Sequence, residues 1–301
     1  MTIPRIDLTE YIDIPIWYGC NNNCILCMLT GLKSKLPAID FDTFREIVAS
    51  ILNEGRYKNL ILSGAEVTTL DNLETYVGFA ASLGWFEKIQ IQTNGRKLGD
   101  KKYLQRLVAA GINEFFISVH GLEDVHDALT RTPGSYRETL EGIRHLEGMG
   151  KNVITNTILT KMNYHDVINV VADLSRKGVS ELHLWNYCPM EERDSQDLLV
   201  SMDEFSRLLP KLLKVIQPSG KALVLKHFPR CLSLGPPGFF DSRVPKLLIH
   251  EIFWRKFSEN RFGICPHGDK CRAEACSGLS LAHVHKYGAE RELLHPLMDI
   301  R

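Results

Sequence analysis

The chain carries no excess charge of either sign: 36 Lys and Arg stand against 36 Asp and Glu. A protein that grips a nucleic-acid backbone normally shows a basic surplus, so nucleic acid is not an expected partner. No run of eighteen or more apolar residues occurs, and no membrane-spanning helix or membrane attachment is expected. The N-terminus, MTIPRIDLTEYIDIPIW, lacks a basic stretch followed by an apolar one and does not read as a secretory signal. Low-complexity tracts are missing too. A reducing, cytoplasmic location is the resulting expectation. There the eight cysteines serve as metal ligands or catalytic groups rather than disulfides. With 301 residues, 44% of them hydrophobic, the chain can bury a core for one large domain or two ordinary ones.

What is present is a rhythm. Short β-rich runs at 11–19, 58–64, 87–95, 113–121, 151–159 and 180–187 alternate with helix-like segments at 40–55, 72–84, 100–111, 135–150 and 164–178. Several of the helical segments end in Gly, the usual residue just past a helix C-terminus. Parallel strands need such helical crossovers. Six units are too few to close an eight-stranded barrel, so the fold class expected is α/β, a partial (β/α)6 TIM-like barrel. Its strand ends form one rim, where such folds do chemistry. After about residue 190 the rhythm breaks. A charged connector, a helix at 202–216, a strand at 221–228 and the loop LGPPGFFDSRVP follow. The expected division is a barrel over 1–190 and a cysteine-rich α+β extension over 191–301.

The first strand runs into GCNNNCILC, which places Cys20, Cys24 and Cys27 in a C-x3-C-x2-C spacing. This is too dense for the paired C-x2-C sets of a zinc ribbon. Three thiolates can hold three irons of a [4Fe–4S] cube and leave the fourth iron open to an exogenous ligand. The alternatives are a zinc site or buried thiols.

This pattern resembles the radical S-adenosylmethionine (radical SAM) superfamily, in which C-x3-C-x2-C follows the first strand of a partial (β/α)6 barrel. The resemblance covers roughly residues 11–190. It implies that SAM chelates the open iron and is cleaved reductively to a 5′-deoxyadenosyl radical, which abstracts a substrate hydrogen. The protein's part is to position these groups. SGAEVTT resembles the family's Gly-Gly-Glu motif: Gly64 and Glu66 match, and Ala65 replaces the second Gly. The resemblance implies that Glu66 pairs with the SAM ammonium. QTNG, with Asn94, resembles a Thr-Asn-Gly found on the third strand, and Ser118 and Asn156 match polar positions on the SAM side. Leu26 departs from the family, which usually has an aromatic residue there. His120 would face substrate, and His120 and His126 are otherwise structural groups. Trp185 and Tyr187 stand near the same strand end.

Five cysteines remain. Cys231, Cys265, Cys271 and Cys276 can fully ligate a second, auxiliary [4Fe–4S] cluster or a structural zinc. The resemblance implies a Twitch-like, single-cluster relative of SPASM domains, although the spacing is not the standard one. His227 and His267 are alternative ligands. Cys188, in WNYCPM on the rim, can ligate that cluster, donate hydrogen to a substrate radical, or lie buried and inert.

Only about ten residues precede the first strand candidate. The expectation is therefore a small-molecule substrate (an amino acid, sugar or natural-product intermediate), oxidised or epimerised, with a flavodoxin- or ferredoxin-type reductant. Ribosomal-peptide maturation is the runner-up. A non-catalytic iron–sulfur electron carrier or redox sensor is the reading from another class, and an open iron argues against it.

Overall fold

The alternation of apolar and polar residues in the β-rich runs gives each strand two unlike faces. In the computed structural model, which describes residues 6–232 and 239–297, these runs become β1 (Tyr11–Trp17), β2 (Asn59–Gly64), β3 (Lys88–Thr93), β4 (Glu114–Ser118), β5 (Asn152–Leu159) and β6 (Glu181–Asn186). Each pairs in parallel with the next. The intervening helices are α1 (Phe41–Glu54), α2 (Leu73–Ser82), α3 (Lys101–Ala110), α4 (Glu123–Thr130), α5 (Ser135–Gly148) and α6 (Val167–Ser175). Local chemistry sets their ends. Asp40 accepts from the Thr43 amide to start α1, and Gly55 in the left-handed region stops it. Asp100 caps α3 in the same way.

One face of the sheet packs under the helices. Ile12, Ile14 and Ile16 of β1 share a core with Phe44 and Val48 of α1 and Val77 of α2. The opposite, concave face is polar and buried. There Tyr11 Oη, Gln90 Nε2 and Asn152 Nδ2 all donate to the Glu114 carboxylate at 2.7–2.8 Å, and His183 is 2.6 Å from Glu181.

Residues after 190 continue this sheet. α7 (Met202–Ile216) opens with a reciprocal Ser201–Glu204 capping box. It leads into β7 (Ala222–Lys226), which pairs parallel to β6. β8 (Lys246–Leu247) pairs parallel to β1 at the other edge. The order is β7-β6-β5-β4-β3-β2-β1-β8, a curled, open half-barrel of eight parallel strands. Helices α8 (Glu251–Glu259) and α9 (Leu281–Tyr287) complete the described chain. Of the stretch read as a loop at 234–245, residues 234–238 lie outside the described residues, as do residues 1–5. Among the described residues no helix is long and apolar enough to cross a membrane.

Candidate cofactor and active site at the strand ends

β1 ends against the first turn after β2. Gly64 has φ 139°, and a Cβ there would stand 1.9 Å from the Trp17 carbonyl oxygen. Only glycine permits that approach. It lets the Ala65 amide donate to Trp17 O at 2.8 Å and the Glu66 amide to Gly19 O at 3.0 Å. The three-cysteine loop leaves from this junction. The Asn22 amide donates to Cys20 Sγ at 3.3 Å. The Asn23 and Ile25 amides donate to Thr130 O and Leu129 O at the end of α4.

Burial raises the Cys20 thiol above its ordinary value and pushes Cys24 up to about 12. The neighbouring cysteine charges push both the same way, and Lys33 pulls both down. The three thiols are thus close enough to oppose each other's ionisation, and a metal's positive charge is what such a set needs to become thiolate. Among the described residues no three His, Cys, Asp or Glu side chains converge tightly enough on one metal ion. A cubane asks for less, since each thiolate takes its own iron. An all-sulfur set of three neighbours at a strand end fits that group.

Glu66 is fully buried. Its Oε1 accepts from the hydroxyls of Thr68 and Thr93, each at 2.6 Å, and its Oε2 accepts from the Asn94 amide at 2.6 Å. The carboxylate is thus engaged from β3 and from the turn after β2. Asn94 is engaged as well: Nδ2 donates to Asn21 Oδ1 at 2.7 Å and Oδ1 accepts from the Arg96 amide at 3.0 Å. Ser118 and Asn156 face each other across β4 and β5, and Asn156 Oδ1 is buried with no partner among the described residues. That orphaned acceptor fits a cofactor donor. Leu26 is buried with Leu129, Tyr187, Leu198 and Leu199, so Tyr187 packs on the cysteine loop.

His120 accepts the Ile158 amide on Nδ1 at 3.3 Å, and burial lowers its pKa to about 3. The ring is therefore neutral with its proton on Nε2, a hydrogen-bond donor and not a base. His126 accepts the His120 amide on Nδ1 at 3.1 Å and is lowered to about 4 by burial. Cys188 is pushed up to about 12 by burial and donates its S–H to Asn186 O at 3.4 Å. Beside it, Trp185 Nε1 and Asn186 Oδ1 are buried without partners among the described residues. His227, at φ 61° on the end of β7, packs edge-on against Trp185 with centroids 5.3 Å apart.

In the tail, an antiparallel bridge joins Ile264 to Leu279 and brings Cys265 towards Cys276. Burial pushes Cys231 up to about 11, and Cys276 and Cys265 add to that push. These three are neighbours. Cys271 lies on the turn after His267, whose amide donates to Cys265 Sγ at 3.4 Å. Sequence reasoning missed Arg96, Asn21 and Asn22, which brace the cysteine loop. Arg96 directly follows QTNG, but neither periodicity nor spacing marks it.

The model of the radical SAM superfamily matches residues 14–174, more than half of the chain. The chain is 26% identical over 194 residues to an AdoMet-dependent heme synthase of Methanosarcina barkeri, covering 64% of this chain and 54% of that protein. It is 24% identical over 191 residues to a GTP 3',8-cyclase of Tolumonas auensis, covering 62% and 56%. The chain thus spans about half the length of these curated relatives. The crystal structure of Streptococcus suis SuiB bound to the precursor peptide SuiA shares the fold, with a TM-score of 0.60 at 15% identity over 72% of this chain and 49% of that one. Proteins of this superfamily bind a [4Fe–4S] cluster and SAM, and the cysteine-rich tail here fits an additional cluster. A family model running from β1 into α6, and three cysteines gathered where the first strand ends, lead to one conclusion: the chain belongs to the radical SAM superfamily.

Proposed function

We propose that the protein abstracts hydrogen from a small polar substrate held at the ends of β5 and β6. The observation that carries this reading is a buried donor without a partner among the described residues, Trp185 Nε1, in the same row of β6 as Glu181 and His183 on the concave face. Buried polar groups without partners are costly, and a substrate acceptor satisfies this donor. When bound, the cluster and SAM supply the hydrogen-abstracting radical. The chain's residues do the rest. Cys20, Cys24 and Cys27 hold the reducing cluster. Gly64 lets the backbone come close, and Ser118 and Asn156 orient SAM. Glu66 acts from behind by holding Thr93 and Asn94. His120 offers a fixed N–H. Cys188, kept as a protonated thiol, would return a hydrogen atom to the substrate radical, and the thiyl left behind would take one electron from the same reductant and a proton from solvent. The substrate then keeps its oxidation level, as in an epimerisation, while the reductant supplies the electrons for SAM cleavage and for the thiyl. The relatives named as heme synthase and GTP cyclase support a small substrate. A flavodoxin- or ferredoxin-type protein supplies the electron.

Peptide maturation is the second reading. One feature favours it: among the described residues β8 pairs only with β1, and an open strand edge is where an extended peptide adds. SuiB, by its name, takes a precursor peptide.

The test is anaerobic reconstitution with dithionite-driven SAM cleavage, in wild type and in a variant combining Cys20→Ala, Cys24→Ala and Cys27→Ala. Expected iron is about eight per chain in wild type and about four in the variant, with cleavage lost. Cleavage that persists in the variant overturns the reading. Stimulation of 5′-deoxyadenosine formation by peptides and never by small molecules moves the assignment to the second one.

A further inference from the structure

The loop between Cys20 and Cys24 is held by a bracket in which no cysteine takes part. Arg96 sits just after Gly95, whose left-handed φ of 80° turns the chain back over the loop. Its Nη1 donates to the Asn21 carbonyl oxygen at 2.5 Å and to Asn22 Oδ1 at 2.9 Å. Its Nε donates to Glu138 Oε2 of α5 at 2.5 Å. One guanidinium therefore ties the loop to a helix on the outside of the barrel. Asn94 holds the same loop residue from the other side through Asn21 Oδ1. Asn94 is itself held by Glu66 through its amide and by Thr139, whose hydroxyl donates to Asn94 O at 2.8 Å. Across the loop, Thr130 O and Leu129 O of α4 take the next two available amides.

We propose that Arg96 is a positioning residue for the reducing cluster: it fixes the Asn21–Asn22 backbone so that the Asn22 amide points at Cys20 Sγ and the thiols are presented together before iron arrives. The chemistry asks for arginine. A planar guanidinium has donors in fixed directions and reaches two loop acceptors and a carboxylate at once. A lysine ammonium carries the same charge without that geometry. Arg96 is largely buried, with a side-chain exposure of 15%, while Glu138 is half exposed at 51%. The loop contacts, rather than the outer ion pair, therefore carry the effect. An N–H bond to a cluster thiolate draws off negative charge and raises the reduction potential. Losing the orientation of the Asn22 amide lowers it. The inference rests on Cys20–Cys27 being the cluster loop, and its first test needs no cluster.

That test is amide hydrogen exchange on the iron-free protein, read at Asn22, Asn23 and Ile25 for wild type, Arg96→Lys, Arg96→Gln and Glu138→Gln. Expected is exchange about tenfold faster in both Arg96 variants, with a smaller rise in Glu138→Gln. Exchange in α1 and α7 and the thermal midpoint stay at wild-type values. In the reconstituted protein, Arg96→Lys retains its iron, while the midpoint potential of the reducing cluster moves to more negative values and its reduced-state EPR signal changes. If Arg96→Gln fails to fold, Arg96→Lys and Glu138→Gln still carry the comparison. Loop exchange and potential both unchanged in Arg96→Lys overturn the proposal and leave Arg96 as a surface partner of Glu138. A wild-type protein that binds no iron, with the exchange effect intact, sinks the cluster reading and not the bracket.

Discussion

Gly64 shows how much one residue decides here. A methyl group at that position meets the Trp17 carbonyl in a backbone conformation that L side chains avoid. Gly64→Ala is expected to cost about 3 kcal/mol, read as a lower urea midpoint of the iron-free protein, and to weaken SAM binding in the loaded one. Cys188 is assigned to hydrogen return and not to the auxiliary cluster, so Cys188→Ala should leave iron content at the wild-type value. A loss of about four irons would make it a ligand instead. The buried histidines predict a pH effect. His126 titrates near about 4 in the fold and near about 6.5 when unfolded. Between those values the unfolded chain binds the proton and the fold does not. Stability from this group is full above about 6.5 and is lost as pH falls towards about 4. Asp13, pushed up to about 7 by burial, works with the opposite sign and loses stability as pH rises. The check is therefore a difference: the drop in urea midpoint between about pH 7 and about pH 5 should be smaller in His126→Gln than in wild type.

At the scale of elements, the six βα units were readable because β-rich runs alternate with segments of helical spacing, and α1 and α3 carry an Asp cap at one end and a Gly at the other. α4 was not. It spans eight residues and ends at Arg131 with φ 51° instead of at a glycine, so it shows no stop signal. Yet α4 supplies the carbonyls that hold the cysteine loop. β8 is two residues long, too short for any periodicity to register. α7 was legible through its helical spacing, while its partners were not. Phe205 of α7 stacks on Phe228 with centroids 3.8 Å apart, and both are fully buried. Phe205→Ala should cost about 3–5 kcal/mol, measured as a single cooperative transition at lower denaturant. A separate early transition with the main one unmoved would show that α7 folds apart from the barrel.

At the scale of the molecule, the segment after residue 190 covers both edges of the sheet, through β7 on β6 and β8 on β1. Phe253 of α8 also packs with Leu29, Leu32 and Leu36, just past the third cysteine of the first loop. The core is therefore shared. A chain ended after residue 190 leaves two raw parallel edges, which invite association. It is expected to lack a cooperative transition or to aggregate, as judged by light scattering and circular dichroism. A soluble, cooperatively melting fragment would show that the barrel stands alone.

The sequence alone determined the alternating βα order and the C-x3-C-x2-C spacing, because each is a local pattern of residue types, and the family resemblance singled out Gly64 and Glu66. Only the tertiary structure decided what the polar residues do. Asn94 meets Asn21 of the cysteine loop and the Glu66 carboxylate meets Thr93 and the Asn94 amide, contacts made between different strand ends and loops. His120 has its Nδ1 taken by the Ile158 amide and is held neutral by burial. The grouping of Cys231 with Cys265 and Cys276, expected from the cysteine count, is met across more than thirty residues of chain.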